Sequence, residues 1–263
     1  MGQHRLSAAI KRAVTGLGKV SGFQCTVLGA DGSYPGLNGA CSGYLLRTEA
    51  TAVWLDTGTG TLANLQRHMA PQDLDAVIVT HVHDDHCANL ADYRVMLFCA
   101  DNTREGVPVY AASRVRERLF PNGEHEPYFI WTEIEGGVVL EIGDFTFRFS
   151  ETDHPVPTLA VRTDAHGRSL AYSSDTGTEW QLSELGSDFD VALVEAALRK
   201  GEEDGPFHLS PSQAGLMARE AGAKRLILTH LRPDHDRETI RSEAVATFGA
   251  DIELAETGAT YNV

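Results

Sequence analysis

No apolar run in this 263-residue sequence approaches the roughly 18–20 residues that a membrane span needs, so no transmembrane segment is expected. Near the start, Lys11 and Arg12 are followed by neither an apolar stretch nor a small-residue cleavage site, so no secretory leader is expected. Cysteine is scarce. The four present (Cys25, Cys41, Cys87 and Cys99) are too scattered for a disulfide framework, which points to reduced thiols in a cytoplasm. Positive charge is short as well: 22 Lys and Arg stand against 37 Asp and Glu, a net charge of −15. Proteins that grip long nucleic acid usually carry a basic face to release counterions, so that class of partner is disfavoured. No linker or low-complexity segment interrupts the chain. The expectation is one domain over residues 22–263, preceded by an N-terminal helical extension over 1–21. Gly29, Gly32, Gly36 and Gly39 with Pro35 form a glycine-rich stretch whose spacing matches neither a dinucleotide fingerprint nor a phosphate loop. A surface loop and a loop whose backbone approaches a ligand stand as equal readings.

What the chain does have is concentrated in Thr80-His81-Val82-His83-Asp84-Asp85-His86. Leu74-Asp75-Ala76-Val77-Ile78-Val79 before it is short, apolar and β-branched, the signature of a buried strand. His81 and His83 are two apart, so an extended backbone points both to one side. Asp85 and His86 must diverge unless a helix begins there. Neutral imidazole and carboxylate are the ligands that borderline-to-hard divalent ions take. The pattern therefore suits two adjacent cations, one on His81 and His83, the other on Asp85 and His86.

Leu6, Ile10, Val14 and Leu17 recur at helical spacing over 4–18. That helix can pack on the body, mediate a homodimer or cover the site, and packing is the expectation. Strands are expected at 22–29, 42–47, 52–55, 74–79 and 107–111, with helices at 61–69, 87–98 and 112–119. Residues 128–134, 137–142 and 145–149 alternate and read as a meander. Further strands are expected at 158–163, 169–173, 190–194, 224–229 and 252–255, with helices at 211–222 and 237–248. Asp56, at a strand end beside Gly58 and Gly60, is either a brace for the metal loop or a plain turn residue. Cys87 reads as packing, and His125 and His166 as solvated.

Every polar residue of interest falls just after an expected strand or in the loop that follows it. His81, His83, Asp85, His86, His154, Asp175 and His230 are seven groups, the set two ions need if one carboxylate bridges and each keeps room for a shared water.

His81-x-His83-x-Asp85-His86, followed in order by His154, Asp175 and His230, resembles the metallo-β-lactamase superfamily over nearly the whole chain from about residue 23. The resemblance implies an α/β fold: a four-layer αββα sandwich of two mixed sheets flanked by helices, with a dinuclear site at the sheet edge. Class B lactamases have Cys where this chain has Asp175, so antibiotic hydrolysis is not expected. Asp at that position resembles the glyoxalase II and phosphodiesterase branches. Val194-Glu195-Ala196 and His208-Leu209-Ser210 are similar to ribonuclease Z, as is the stretch His154 to Arg162. In that branch the histidine assists phosphate chemistry and the glutamate orients it. Ribonuclease Z also carries a long Gly/Pro-rich arm, whereas residues 187–207 here are short and acidic. Leu65-Gln66-Arg67-His68 and Asp175-Thr176-Gly177 resemble compact, armless members that cleave cyclic nucleotides. Asp84, where Ala is commoner, departs from the pattern, and a solvent-facing side chain is expected.

The resemblance thus implies hydrolysis of a small anionic phosphodiester, such as a cyclic nucleotide, by a hydroxide shared between two divalent ions. Zinc is expected, with manganese or iron as alternatives. Asp85 would orient the nucleophile and His208, held by Glu195, would serve the phosphoryl or leaving oxygen. Alternatives of the same fold are a thioester or lactone hydrolase and a ribonuclease Z-like RNA 3′-processing nuclease.

Overall fold

Period-two alternation in which both faces are apolar dictates a sheet buried on two sides, and this chain has that pattern in its central strands. The computed structural model describes residues 20–100, 106–199, 201–202 and 207–263. The helix expected over 4–18 and part of the acidic loop 201–206 lie outside them. Strands β1 (Gln24–Gly29), β2 (Gly43–Arg47), β3 (Ala52–Leu55), β4 (Ala76–Val79), β5 (Val107–Ala111) and β6 (Phe129–Glu133) form one sheet in sequence order. Strands β7 (Val139–Ile142), β8 (Phe145–Glu151), β9 (Leu159–Ala165), β10 (Arg168–Tyr172), β11 (Val191–Glu195), β12 (Leu226–Thr229) and β13 (Glu253–Leu254) form the second. Strand β14 (Thr260–Asn262) then returns to the first sheet and pairs antiparallel with β1.

Val53 and Leu55 of β3 and Ile78 of β4 face Phe147, Val161, Tyr172 and Leu193 of the opposite sheet. Trp54, Val77 and Val79 face outward, against helices α1 (Thr61–Leu65), α2 (Asp84–Cys87), α3 (Asn89–Cys99) and α4 (Val115–Leu119). On the second sheet Val194 and Leu228 face outward, against α5 (Pro211–Glu220) and α6 (Arg237–Phe248). The result is the expected αββα sandwich. Each large apolar side chain fully buried between these layers contributes about 1.5–3 kcal/mol. Among the described residues no helix is long and apolar enough to cross a membrane.

Four local readings need correction. The stretch 128–134 is not the first strand of a meander: β6 pairs parallel with β5, and the chain crosses to the second sheet before β7. Alternation marks a strand but not its partner, and the Gly136-Gly137 turn serves either connection. Helix 61–69 ends at Leu65, because the bonds after it tighten to i→i−3 (Arg67 N–H to the Asn64 carbonyl, His68 N–H to Leu65). Helix 112–119 begins only at Val115, since Arg114 lies in the left-handed region with φ 73°. Strand β14 was not anticipated. Three polar-tipped residues, Thr260-Tyr261-Asn262, carry too little pattern, and only pairing with β1 defines them.

Candidate functional site

The parallel strands run so that their C-terminal ends share one rim, and the chain places its polar residues there. β4 delivers Thr80 and His81, β10 delivers Asp175, β11 ends in Glu195 and β12 delivers His230. Direct bonds close the two sheets at this rim. Tyr44 and Thr229 hydroxyls meet at 2.6 Å. The Ser174 hydroxyl donates to Thr80 Oγ1 at 2.8 Å, and the Leu159 N–H donates to the Thr80 carbonyl at 3.1 Å.

Three of the strand-end residues hold left-handed backbone without being glycine: Asp56 (φ 55°), Ser174 (φ 51°) and His230 (φ 51°). Such conformations cost of order 1 kcal/mol or more and persist where the surroundings over-determine them. Here each one turns a side chain or its neighbour into the rim.

All seven groups expected from the sequence come together in two sets that share Asp175, and a third set joins Asp175 and His230 to Glu195 and His208. In the first set, His83 Nδ1 lies 3.2 Å from both His81 Nε2 and His154 Nε2. Asp175 Oδ2 is 3.5 Å from His81 Nε2 and 3.9 Å from His154 Nε2. In the second, Asp85 Oδ2 is 3.1 Å from His230 Nε2, and Asp175 Oδ1 is 3.1 Å from His86 Nε2. The two oxygens of one buried carboxylate therefore face the two sets separately. As expected, His81 and His83 point to one side, and Asp85 joins His86 because α2 begins at Asp84.

The donor chemistry fits a divalent ion in each set. A neutral imidazole offers one lone pair and one N–H, so three ring nitrogens aimed at each other cannot all be satisfied by one another. Burial pushes His81 and His83 below the usual histidine range and His154 down to about 3, leaving neutral rings with lone pairs to give. His86 Nε2 and Asp175 Oδ1 are both buried and, although 3.1 Å apart, make no well-aligned hydrogen bond with each other or with any other described residue. Burial opposes ionisation of Asp175 and Asp85, but the facing histidines outweigh it and hold both carboxyls well below the usual carboxylate range.

Behind the rim, other residues fix these rings. Asp56 is a brace rather than a plain turn residue. Its buried carboxylate accepts from the Thr80 N–H (2.8 Å), the Thr80 hydroxyl (2.9 Å), the Tyr172 hydroxyl (2.9 Å) and His86 Nδ1 (2.8 Å). His154 Nδ1 bonds the Phe207 carbonyl at 3.2 Å. The glycine-rich stretch proves to be the loop beside the site. The Ser33 N–H donates to Asp85 Oδ2 at 2.8 Å, and a Cβ on Gly32 would sit 2.5 Å from the His230 carbonyl oxygen.

Glu195 and His208 form a separate pair at the edge of the second set. Glu195 is fully buried. Its Oε1 accepts from the Thr176 N–H and from His208 Nδ1, each at 2.9 Å, and its Oε2 from the Ala197 N–H at 3.1 Å. His208 stacks on His230 with centroids 5.4 Å apart, and its side chain keeps 25% exposure. Burial opposes its charge, but Glu195 foremost, with Asp175 and Asp85, pushes it up to about 9. Ser210 caps α5 reciprocally with Gln213, which fixes the approach of His208 two residues upstream.

Tyr172, the bracing role of Thr80 and the Phe207 carbonyl escaped sequence reasoning. Tyr172 ends an apolar strand and looks like core. Nothing local reveals that its hydroxyl meets Asp56 from the other sheet. Cys87 is packing, as expected: its thiol bonds the Val82 carbonyl at 3.3 Å, and burial pushes it up to about 12. Asp84 does face solvent, paired with Arg118.

Two openings flank the rim. One, about 630 Å³, is lined by Val82, His83, Asp84, Arg114, Glu117 and Arg118. The other, about 370 Å³, runs past His154 to Glu133, Glu135 and Glu151.

Residues 51–231 match the beta-lactamase superfamily domain. The chain is 34% identical over 265 residues to the uncharacterized protein Rv1339 of Mycobacterium tuberculosis, covering 94% of this chain and 95% of that one. It is 28% identical over 241 residues to the probable metallo-hydrolase YhfI of Bacillus subtilis, covering 90% and 98%. The YhfI crystal structure superposes with a TM-score of 0.83 over 91% of this chain and 99% of that one. Ribonuclease Z of Thermobifida fusca is 26% identical over 295 residues, covering 88% and 91%. The chain belongs to the beta-lactamase superfamily of metallo-hydrolases.

Proposed function

We propose that this protein hydrolyses phosphodiester bonds in small nucleotides, cyclic ones included, with two divalent ions. Zinc is the first choice and manganese or iron the alternatives, and the setting is a cytoplasm. His81, His83 and His154 would hold one ion, Asp85, His86 and His230 the other, and Asp175 both. Bound there, the ions would lower the pKa of water towards neutrality and neutralise charge on the phosphoryl oxygens.

The observation that carries the phosphodiester reading is the Glu195–His208 pair. Its Nδ1 occupied by Glu195, His208 keeps Nε2 for an oxygen of the substrate. With Glu195 favouring its protonated form, it can stabilise a phosphoryl oxygen or give a proton to the departing alkoxide. A thiolate leaves without an acid, so a thioesterase has no need of this pair. Asp85 would accept a hydrogen bond from the attacking water and orient it. The name of the T. fusca relative, a ribonuclease, supports phosphodiester chemistry. The net charge of −15 and the short acidic stretch 187–207 favour a small substrate over RNA.

Bis-p-nitrophenyl phosphate should be hydrolysed by the purified protein, and a chelator should stop the reaction. Cleavage of a thioester or of nitrocefin at higher kcat/KM, with the phosphodiester untouched, would sink the reading.

Asp56→Ala tests the brace. It strands buried Thr80, His86 and Tyr172 donors, at about 1–3 kcal/mol for each unsatisfied group. Such outer partners are worth roughly 10–100-fold in metal affinity. Urea unfolding should show a loss of about 3 kcal/mol or more, and metal titration a weakened site. A variant with wild-type midpoint and affinity would show that the network has no supporting role.

A further inference from the structure

The two openings beside the rim are electrically unlike. The smaller one presents Glu133, Glu135 and Glu151, three carboxylates that repel an anion. The larger, about 630 Å³, has His83 in its wall, so it is continuous with the first metal set, and it has room for more than the scissile phosphate. Its charges are mostly spent on one another. Arg118 Nη2 contacts both oxygens of Asp84, at 3.0 and 3.1 Å. Glu117 accepts from Arg116 at 2.8 and 3.2 Å. Arg114 is the exception. Among the described residues its guanidinium has no carboxylate, carbonyl or aromatic partner, although it lines the opening.

The backbone holds Arg114 deliberately. Its φ of 73° is an outlier for a long side chain, and such strain collects at ligand-binding positions. The turn is anchored on both sides. The Ala112 N–H bonds the Val79 carbonyl at 3.1 Å, tying it to the strand that delivers His81, and Val115 is buried in the core. Among the described residues, Arg114 is thus an exposed cation without an ion-pair partner that lines this opening, in a chain of net charge −15.

We infer that Arg114 anchors a second phosphate of the substrate, so that the preferred substrates carry a phosphate group besides the phosphodiester that is cleaved. A guanidinium fork matches phosphate oxygens in pairs, which makes it selective for such a group over a neutral sugar or base. The inference rests on the phosphodiesterase reading and names a substrate class within it.

The test compares two chromogenic esters, p-nitrophenyl thymidine 5′-phosphate with and without a 3′-phosphate. The wild-type protein should prefer the 3′-phosphorylated ester in kcat/KM. Arg114→Ala should cut that preference on the order of 10–100-fold, the usual worth of hydrogen bonds to a charged group. Arg114→Asn removes the charge while tolerating the left-handed backbone, so it should lose the preference with the fold intact. Arg114→Lys should recover part of it. Chelator-sensitive cleavage of both esters with a preference that Arg114→Asn leaves unchanged overturns the anchor alone. Cleavage of neither ester overturns the phosphodiesterase reading, and the anchor with it.

Discussion

Asp175→Ala is expected to abolish chelator-sensitive hydrolysis and to release both ions. The two oxygens of Asp175 face different sets, Oδ2 towards His81 and His154 and Oδ1 towards His86 and His230. Removing it leaves each set with only the other groups, mostly neutral imidazoles, and takes away the charge that the pair shares. Metal catalysis supplies several kcal/mol of transition-state stabilisation, and each 1.36 kcal/mol is tenfold, so kcat should fall by at least about 10³-fold. Elemental analysis of the purified variant should find both ions lost or much depleted. Full metal content with full activity would refute the shared-carboxylate reading. Circular dichroism separates this from unfolding: the two-sheet core does not depend on Asp175, so the native spectrum should persist.

His208→Ala is expected to do the opposite to metal and the same to rate. His208 lies outside the two sets assigned to the ions, although with Glu195 it also comes within ligand distance of Asp175 and His230. It contacts Glu195 at 2.9 Å and stacks on His230. Losing a general acid usually costs 10²–10⁴-fold, so kcat should drop about that much while both ions stay bound. The leaving group makes the role visible. With p-nitrophenolate, which departs without a proton, the loss should be near the lower end. With an alkoxide leaving group it should approach the upper end. Equal loss on both would assign His208 to phosphoryl-oxygen stabilisation rather than proton donation. Loss of metal in step with rate would remove it from catalysis altogether and make it a structural support.

The sequence carried a good deal of this. His81-x-His83-x-Asp85-His86 announces its chemistry, because four potential ligands in six residues after an apolar strand have few other uses. Strand existence was legible where alternation was doubly apolar, as at Ala76–Val79 and Val191–Glu195. Strand partnership was not. β6 reads as part of a meander, yet pairs parallel with β5, because hydrogen-bonding direction leaves no trace in side-chain pattern. The end of the chain shows the same limit: β14 exists only through its contact with β1, more than two hundred residues away.

By itself, then, the order of residues determined which groups can bind an ion and that they sit at strand ends, since periodicity and side-chain chemistry are local properties. Only the tertiary structure decided that Asp175 stands between two clusters of candidate ligands, that Tyr172 and Asp56 brace the rim from opposite sheets, and that Arg114 lines an opening beside it with no ion-pair partner among the described residues. Those facts depend on distances between residues remote in the chain, and such distances are set by how two sheets stack and twist rather than by any stretch of sequence alone.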